Sequence, residues 1–285
     1  MYPRVAYVTY QGDLPDNDLP VALEAMRDAR LDAQAVIWDD ETVDWGDFDL
    51  VVVRSTWDYV PRRPEFLRWA RRVEDTTLLA NPARCLAKNT DKTYLRVFAQ
   101  KGVPTIPTVW FEPGDSSADC ADTLVDLGWQ RLVVKPNVDG AGRNAVLVES
   151  PQQAAAQASE WATQGLTAMV QPYLSVVERS AELSVVVLGG EISHAVSRKA
   201  PLTNSGDSSA VEALDVPAEV RELVPQIMRA GRDGEDLLYA RIDLVPHGQD
   251  WLLMELEATE PRLFLNSAPG APARFAAAVR AALRG

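Results

Sequence analysis

At 285 residues, 47% apolar and 24% charged, the chain has the composition of an ordinary globular protein with ample core. Its formal net charge of −13, with no basic run, argues against a nucleic-acid partner. No apolar run reaches the roughly 18 residues that span a bilayer, which argues against a membrane partner. The cysteines Cys85 and Cys120 lack metal spacing and read as thiols of a reducing compartment. The N-terminus runs into a strand without a signal-type apolar stretch, so a cytoplasmic location is expected.

In chain order, residues 5–9 read as a buried strand, 11–20 as a polar loop, 21–29 as a helix, and 33–38 and 49–54 as further strands. That pattern predicts an open α/β sheet, whose ligands sit beyond the carboxyl ends of the strands. Those ends carry residues 9–18 and the run Arg54-Ser-Thr-Trp-Asp-Tyr59. After the break at Asn81-Pro82, one helix is predicted from about 88 to 101, with Thr90 or Asp91 as caps. Strands at 109–111, 131–135, 145–148 and 168–171 alternate with helices ending at 127 and 163, giving a compact α+β lobe.

A second α+β lobe follows. It opens with a hairpin, 183–188 and 191–198, turning at Gly189-Gly190. A Ser-, Asn- and Gly-rich stretch, 201–209, suits a lid. A helix at 217–230, a hairpin of 239–245 with 253–261 turning over 246–250, and a terminal helix at 272–284 complete the lobe. The expected domains are residues 1–85, 86–172 and 173–285.

The second hairpin holds the densest chemistry. Side chains alternate along a strand, so Arg241 and Asp243 share one face, as do Glu255 and Glu257. Paired strands would gather three carboxylates and a guanidinium on one surface, a donor set suited to Mg²⁺ with substrate phosphates. A solvated charged face is the plain alternative. Lys135 ends an apolar strand ahead of a loop containing Gly140, Ala141 and Gly142. Such a lysine can reach phosphates while backbone N–H groups wrap them, although the order is not that of a Walker loop. Lys135 and Lys92 are otherwise ordinary surface lysines. The extended segment at Gln171, Tyr173 and Leu174 can offer hydrogen bonds to an adenine edge or serve as a simple linker. Glu182, or less suitably Glu178, can take ribose hydroxyls.

This ordered set resembles the ATP-grasp superfamily over nearly the whole chain, in the branch of bacterial glutathione synthetase and D-alanine–D-alanine ligase. The resemblance implies a three-lobed α/β and α+β fold, with an N-terminal open α/β domain and ATP bound between the two following α+β lobes. It implies Lys92 and Lys135 on the phosphates under a loop at Gly140, Ala141 and Gly142. Gln171, Tyr173 and Leu174 would meet the adenine and Glu182 the ribose. Asp243, Glu255 and Glu257 would hold Mg²⁺, with Mn²⁺ as the alternative ion. Arg241, together with Lys135 and Arg198, would neutralise an acyl phosphate and the oxyanion that follows. Most of the family has Asn where this chain has Glu257, which leaves the number of ions open.

The runs Glu-Leu-Glu-x-x-Glu-Pro and Val-Arg-Ser-Thr-Trp-Asp-Tyr look most like the subgroup that includes D-cycloserine synthetase. That resemblance implies an antibiotic-biosynthesis ligase that uses ATP to activate the carboxylate of O-ureido-D-serine and closes the ring intramolecularly. Asp18, Arg54, Ser55, Trp57, Asp58, Glu260 and also Arg198 are the substrate-side candidates, because a small amino acid needs partners for both its charges. The alternatives are an intermolecular amide-forming ligase, a catalytically inactive nucleotide-binding regulatory module, and a solute-binding protein without nucleotide chemistry. The resemblance admits a homodimer or a homotetramer.

Overall fold

Three sheets, each drawn from its own stretch of chain, carry the architecture of the computed structural model, which describes residues 1–140, 142–176, 182–198, 211–232 and 234–284. The anticipated lid at 201–209, Ala141 and Glu178 lie outside the described residues. Among the described residues no helix is long and apolar enough to cross a membrane.

The first sheet is parallel, in the order β2-β1-β3-β4, from β1 (Arg4–Thr9), β2 (Asp32–Ile37), β3 (Leu50–Ser55) and β4 (Leu78–Ala80). Helices α1 (Leu19–Asp28) and α2 (Arg63–Glu74) flank it. Strands β1 and β3 are apolar at nearly every position because both faces are covered. Val5, Tyr7, Leu50 and Val52 pack with Ala22 and Met26 of α1, while Ala6, Val8, Val51 and Val53 pack with Phe66, Trp69 and Val73 of α2.

The helix predicted at 88–101 is two helices, α3 (Ala83–Asn89) and α4 (Tyr94–Gln100). The interruption has a local cause: Asp91 Oδ1 accepts from Thr93 N (3.1 Å) and Thr93 Oγ1 (2.8 Å). Short polar side chains compete with helical hydrogen bonding in this way. Lys92 N is also drawn to Asn137 O at 2.8 Å, so Lys92 sits at the corner rather than on a helix.

The central antiparallel sheet runs β5 (Val109–Phe111), β8 (Ala168–Pro172), β6 (Leu132–Pro136), β7 (Val146–Val148), covered by α5 (Ser117–Asp126) and α6 (Pro151–Thr163). The third sheet runs β11 (Glu212–Leu214), β10 (Glu191–Arg198), β9 (Glu182–Leu188), β12 (Tyr239–His247), β13 (Asp250–Glu257), with α7 (Ala218–Arg232) and α8 (Ala271–Ala282). One face of this sheet is apolar: Leu183, Val185, Val187, Ala240, Ile242 and Leu244 pack with Leu95, Phe98, Val220, Val224 and Ile227. The other face grades along its length. Leu188 and Tyr239 are buried against α8 and the first sheet, and then Ser184 lies opposite Asp243 where the charged residues begin.

Candidate active site

The acidic face depends on a β-bulge. From the two-residue turn at Gly248 (φ +64°) and Gln249, His247 pairs with Asp250 and Leu244 with Leu253, but Asp243 then pairs with Glu255. Met254 is left over. Side-chain parity has period two, so one extra residue exchanges the faces of everything beyond it. With the bulge, Arg241 lies opposite Glu257 and Asp243 opposite Glu255 on a shared face. The turn is tighter than the expected 246–250 because glycine at positive φ closes a two-residue hairpin.

Each acid on this face is paired with a cation. Asp243 is gripped by Arg241, through Nε to Oδ1 and Nη2 to Oδ2, both at 2.9 Å. Arg198 Nη2 reaches Asp243 Oδ2 at 2.7 Å, and Ser184 Oγ reaches Oδ1 at 2.7 Å. Burial opposes ionisation of Asp243, yet Arg198 and Arg241 hold its carboxyl below the usual carboxylate range. Glu257 is ion-paired with Arg241. Burial, with Arg241 opposing and Asp243 and Glu255 adding, pushes the Glu257 carboxyl up to about 7. Glu182 pairs with Arg198 at 3.2 Å, and burial raises its pKa. Among the described residues no three carboxylates already form a metal cage. The donors nevertheless fit a hard divalent cation, since Asp243, Glu255 and Glu257 supply only oxygens from one face.

The lysines converge on this face from the central lobe. Lys92 Nζ lies 2.8 Å from Glu255 Oε1 and donates to Asp139 O at 2.9 Å. Burial works against its charge, but Glu255, with Asp139 and Glu257 adding, moves the pKa up. Lys135, on β6, has no hydrogen-bond or ion-pair partner among the described residues, and burial lowers its pKa, with Glu255 opposing and Lys92 adding. An ammonium drawn into the molecule without a partner is poised for an incoming anion. The loop after Lys135 includes Gly142 at φ +63°, and a Cβ at Gly140 would meet Val60 Cγ2 at 3.0 Å. Gln171 is buried on β8 with Nε2 on Thr108 Oγ1 (3.0 Å). The ring of Tyr173 lies under Arg131 (4.3 Å), and Leu174 is half-buried beside it.

Of the substrate-side candidates, Asp18, Arg54, Trp57 and Glu260 meet around residues 260–265, whereas Ser55, Asp58 and Arg198 are held by other partners. Asp18 accepts from the backbone N–H groups of Leu263 (2.7 Å), Phe264 (3.2 Å) and Leu265 (2.7 Å). Arg54 is buried over the Tyr239 ring (4.6 Å) and donates to Pro261 O (2.5 Å). Ser55 Oγ bonds Thr9 Oγ1 (2.9 Å), and Asp58 accepts from Trp38 Nε1 (2.9 Å) and pairs with Arg62. Trp57 Nε1 donates to Glu260 O at 3.0 Å. The Glu260 side chain is half-buried, and burial beside Glu257 pushes its carboxyl up to about 8.

Sequence reasoning missed Ser184, Asn89, Tyr94 and Arg262. Ser184 follows Glu182 by two and Arg262 follows Glu260 by two, so alternation was a usable signal for both. Asn89 and Tyr94 had none. Their side chains satisfy the outer edge of β13: Asn89 bonds Leu256 O (2.6 Å) and Ala258 N (2.7 Å), and Tyr94 bonds Leu256 N and O, both at 3.0 Å. An edge strand leaves its backbone unpaired. These two residues close that edge between Glu255 and Glu257.

An open α/β domain followed by two α+β lobes, with lysines from one facing acids from the other, defines an ATP-grasp ligase. A family profile described as D-cycloserine synthetase DcsG, N-terminal domain, matches residues 5–81. The chain is 32% identical over 296 residues to the cycloserine biosynthesis protein DcsG of Streptomyces lavendulae, covering 98% of this chain and 99% of that protein. The crystal structure of D-cycloserine synthetase DcsG matches with a TM-score of 0.90 at 30% identity, over 98% and 99% of the two chains. D-Alanine–D-alanine ligase from Bacillus anthracis complexed with ATP shares the fold at a TM-score of 0.72 and 16% identity, over 99% and 98%. The chain belongs to the DcsG family of ATP-grasp ligases.

Proposed function

We propose that this chain is an ATP-dependent carboxylate–nitrogen ligase that closes O-ureido-D-serine to the ring of D-cycloserine. The observation that carries the reading is the convergence of Lys135, unpaired among the described residues, and a paired Lys92 on Asp243, Glu255 and Glu257, in a chain matching its relative over 98% of its length.

Lys135 and Lys92 take the phosphates of ATP, while Gln171, Tyr173, Leu174 and Glu182 line the nucleoside side. Asp243, Glu255 and Glu257 would hold Mg²⁺, which when bound neutralises phosphate charge and acts as a Lewis acid. The substrate carboxylate attacks the γ-phosphorus, forming an acyl phosphate and releasing ADP. The nitrogen attached to the side-chain oxygen then attacks the acyl carbon, loses its proton and expels phosphate. Water removes the remaining carbamoyl group as carbon dioxide and ammonia. Arg241 and Arg198 face the acyl end and stabilise its developing oxyanion. Each acid on this face is matched by an intramolecular cation.

The test is ADP release with Mg²⁺-ATP across a panel of amino acids that includes O-ureido-D-serine, with mass spectrometry of the products. Release stimulated by O-ureido-D-serine together with the cyclised product is expected. Stimulation by a pair of amino acids with a linear amide product would replace cyclisation by intermolecular ligation. No stimulated release across the panel would remove the ligase reading.

A further inference from the structure

The segment from Thr259 to Leu265 links β13 to the last helix and belongs to no regular strand, yet five consecutive carbonyls are held by five different side chains. Tyr239 Oη donates to Thr259 O (2.7 Å), Trp57 Nε1 to Glu260 O (3.0 Å) and Arg54 Nη2 to Pro261 O (2.5 Å). Arg241 Nη1 donates to Arg262 O (3.2 Å) and His194 Nε2 to Leu263 O (2.8 Å). Asp18 then accepts from the next three N–H groups. These donors come from both the first and the third sheet, so the segment is fixed relative to each.

Pro261, Leu263 and Leu265 are buried, whereas Glu260, Arg262 and Phe264 are partly exposed, so these three share the open face. A backbone fixed at every residue presents those side chains in set positions. Arg262 is distinctive among them. Its guanidinium stacks on the Trp57 ring at 4.9 Å, and its side chain has no ion-pair or hydrogen-bond partner among the described residues. Lys92, Arg198 and Arg241 nearby are all ion-paired. Stacking fixes the plane of a guanidinium and leaves its edge, a fork of N–H donors, free for a planar acceptor.

We propose that Arg262 is a specificity-determining substrate contact, its fork taking the distal carbonyl or carboxylate of an amino-acid side chain. The proposal rests on the ligase reading above and deepens it: the substrate carries a planar oxygen acceptor at the end away from the reacting carboxylate. The geometry assigns the distal end because Arg241 and Arg198 already converge on the acidic face, whereas Arg262 leans toward Trp57 and Tyr10 of the first domain (ring centroids 5.8 Å apart). Glu260, on the same face, is the matching partner for the substrate ammonium.

The experiment uses the full chain, Mg²⁺-ATP, O-ureido-D-serine as the ligand with a distal carbonyl, glutamate as the ligand with a distal carboxylate, and D-serine as the ligand with neither. Arg262→Ala should raise KM for the preferred ligand about tenfold or more while KM for ATP stays within about twofold. Arg262→Lys keeps the charge without the fork and should recover only part of the loss. The rise in Tm that the preferred ligand produces over ADP and Mg²⁺ should vanish in Arg262→Ala, while the rise from ADP and Mg²⁺ remains. An unchanged amino-acid KM in Arg262→Ala, or an equal rise in the ATP KM, would overturn the proposal alone. Absence of amino-acid-dependent ADP release by the unaltered chain removes the ligase reading, and this proposal with it.

Discussion

Asp243 and Glu255 lie directly opposite each other across the β12–β13 pair because Met254, next to Glu255, is left unpaired. That single unpaired residue puts three carboxylates and Arg241 on one face. Deleting Met254 should restore the uninterrupted ladder with Asp243 still opposite Glu255 and Arg241 still opposite Glu257, so the acidic face survives without the bulge. The expected result is a retained Tm increment from Mg²⁺ and ADP together, and its loss would show that the bulge itself shapes the site. The conservative companion is Glu255→Gln, which keeps the register and should lower ATP turnover about 100-fold or more. Normal turnover in Glu255→Gln would remove Glu255 from the metal set.

Glu257→Asn addresses the extra negative charge at this position. Turnover should persist, because an oxygen donor remains, while Mg²⁺ affinity falls about threefold to tenfold with the lost charge. Titration of ADP release with Mg²⁺ reads this directly. Complete loss of activity would mean that Glu257 has a role beyond metal binding.

Lys135 and Lys92 should separate stability from nucleotide binding. Lys92→Ala strands Glu255 and leaves Asp139 O without its donor, so destabilisation of about 1–3 kcal/mol is expected. Lys135→Met removes a half-buried ammonium that has no such partner among the described residues and should leave Tm unchanged or higher. Both should raise KM for ATP. Thermal unfolding and ATP titration of the two variants check the contrast.

The raised carboxyls predict a pH dependence of stability with a definite sign. Glu257 and Glu260 titrate at about 7 and about 8 when folded, above the ordinary glutamate value. The folded state therefore holds protons that the unfolded state has released, and stability falls as pH rises from about 5 to about 8. Stability should be fullest below the unfolded pKa and lost as pH passes the folded values. Glu260→Gln should flatten the upper part of that slope in Tm measurements without ligand. An unaltered slope would show that Glu260 does not carry it.

Asp18→Ala removes the acceptor for three successive N–H groups of the segment bearing Glu260 and Arg262. Phe264, in that segment, has φ +51° without being glycine, so its conformation depends on such support. Destabilisation of about 1–3 kcal/mol is expected. KM for the amino-acid substrate should rise more than KM for ATP. Asp18→Asn, which keeps one acceptor oxygen, should lie between.

Much of the site was legible because it is written locally. Arg241 with Asp243, and Glu255 with Glu257, are spaced by two, and strand alternation alone put each pair on a face. Whether those two faces coincide depended on the turn length and the bulge, which residue spacing does not reveal. The division of the 88–101 helix was also written locally, in Asp91 and Thr93, but a cap and a mid-helix break look alike in sequence. Asp18, Arg54 and Trp57 were legible as unusual residues at strand ends. Their roles as clamps on Thr259–Leu265 were not, since Arg54 and Pro261 are 207 positions apart.

The sequence by itself determined the strands, their faces, the ordered set of lysines and acids, and hence the class of chemistry. Those features follow from backbone geometry acting over a few residues. Only the tertiary structure decided which carboxylates oppose one another, that among the described residues Lys92 is paired and Lys135 is not, and that Arg262 stands on a fixed loop with its donor fork unpartnered among those same residues. Each of these depends on lobes meeting across long sequence separations. There, burial and electrostatic pairing set which charges are matched inside the chain and which await a ligand.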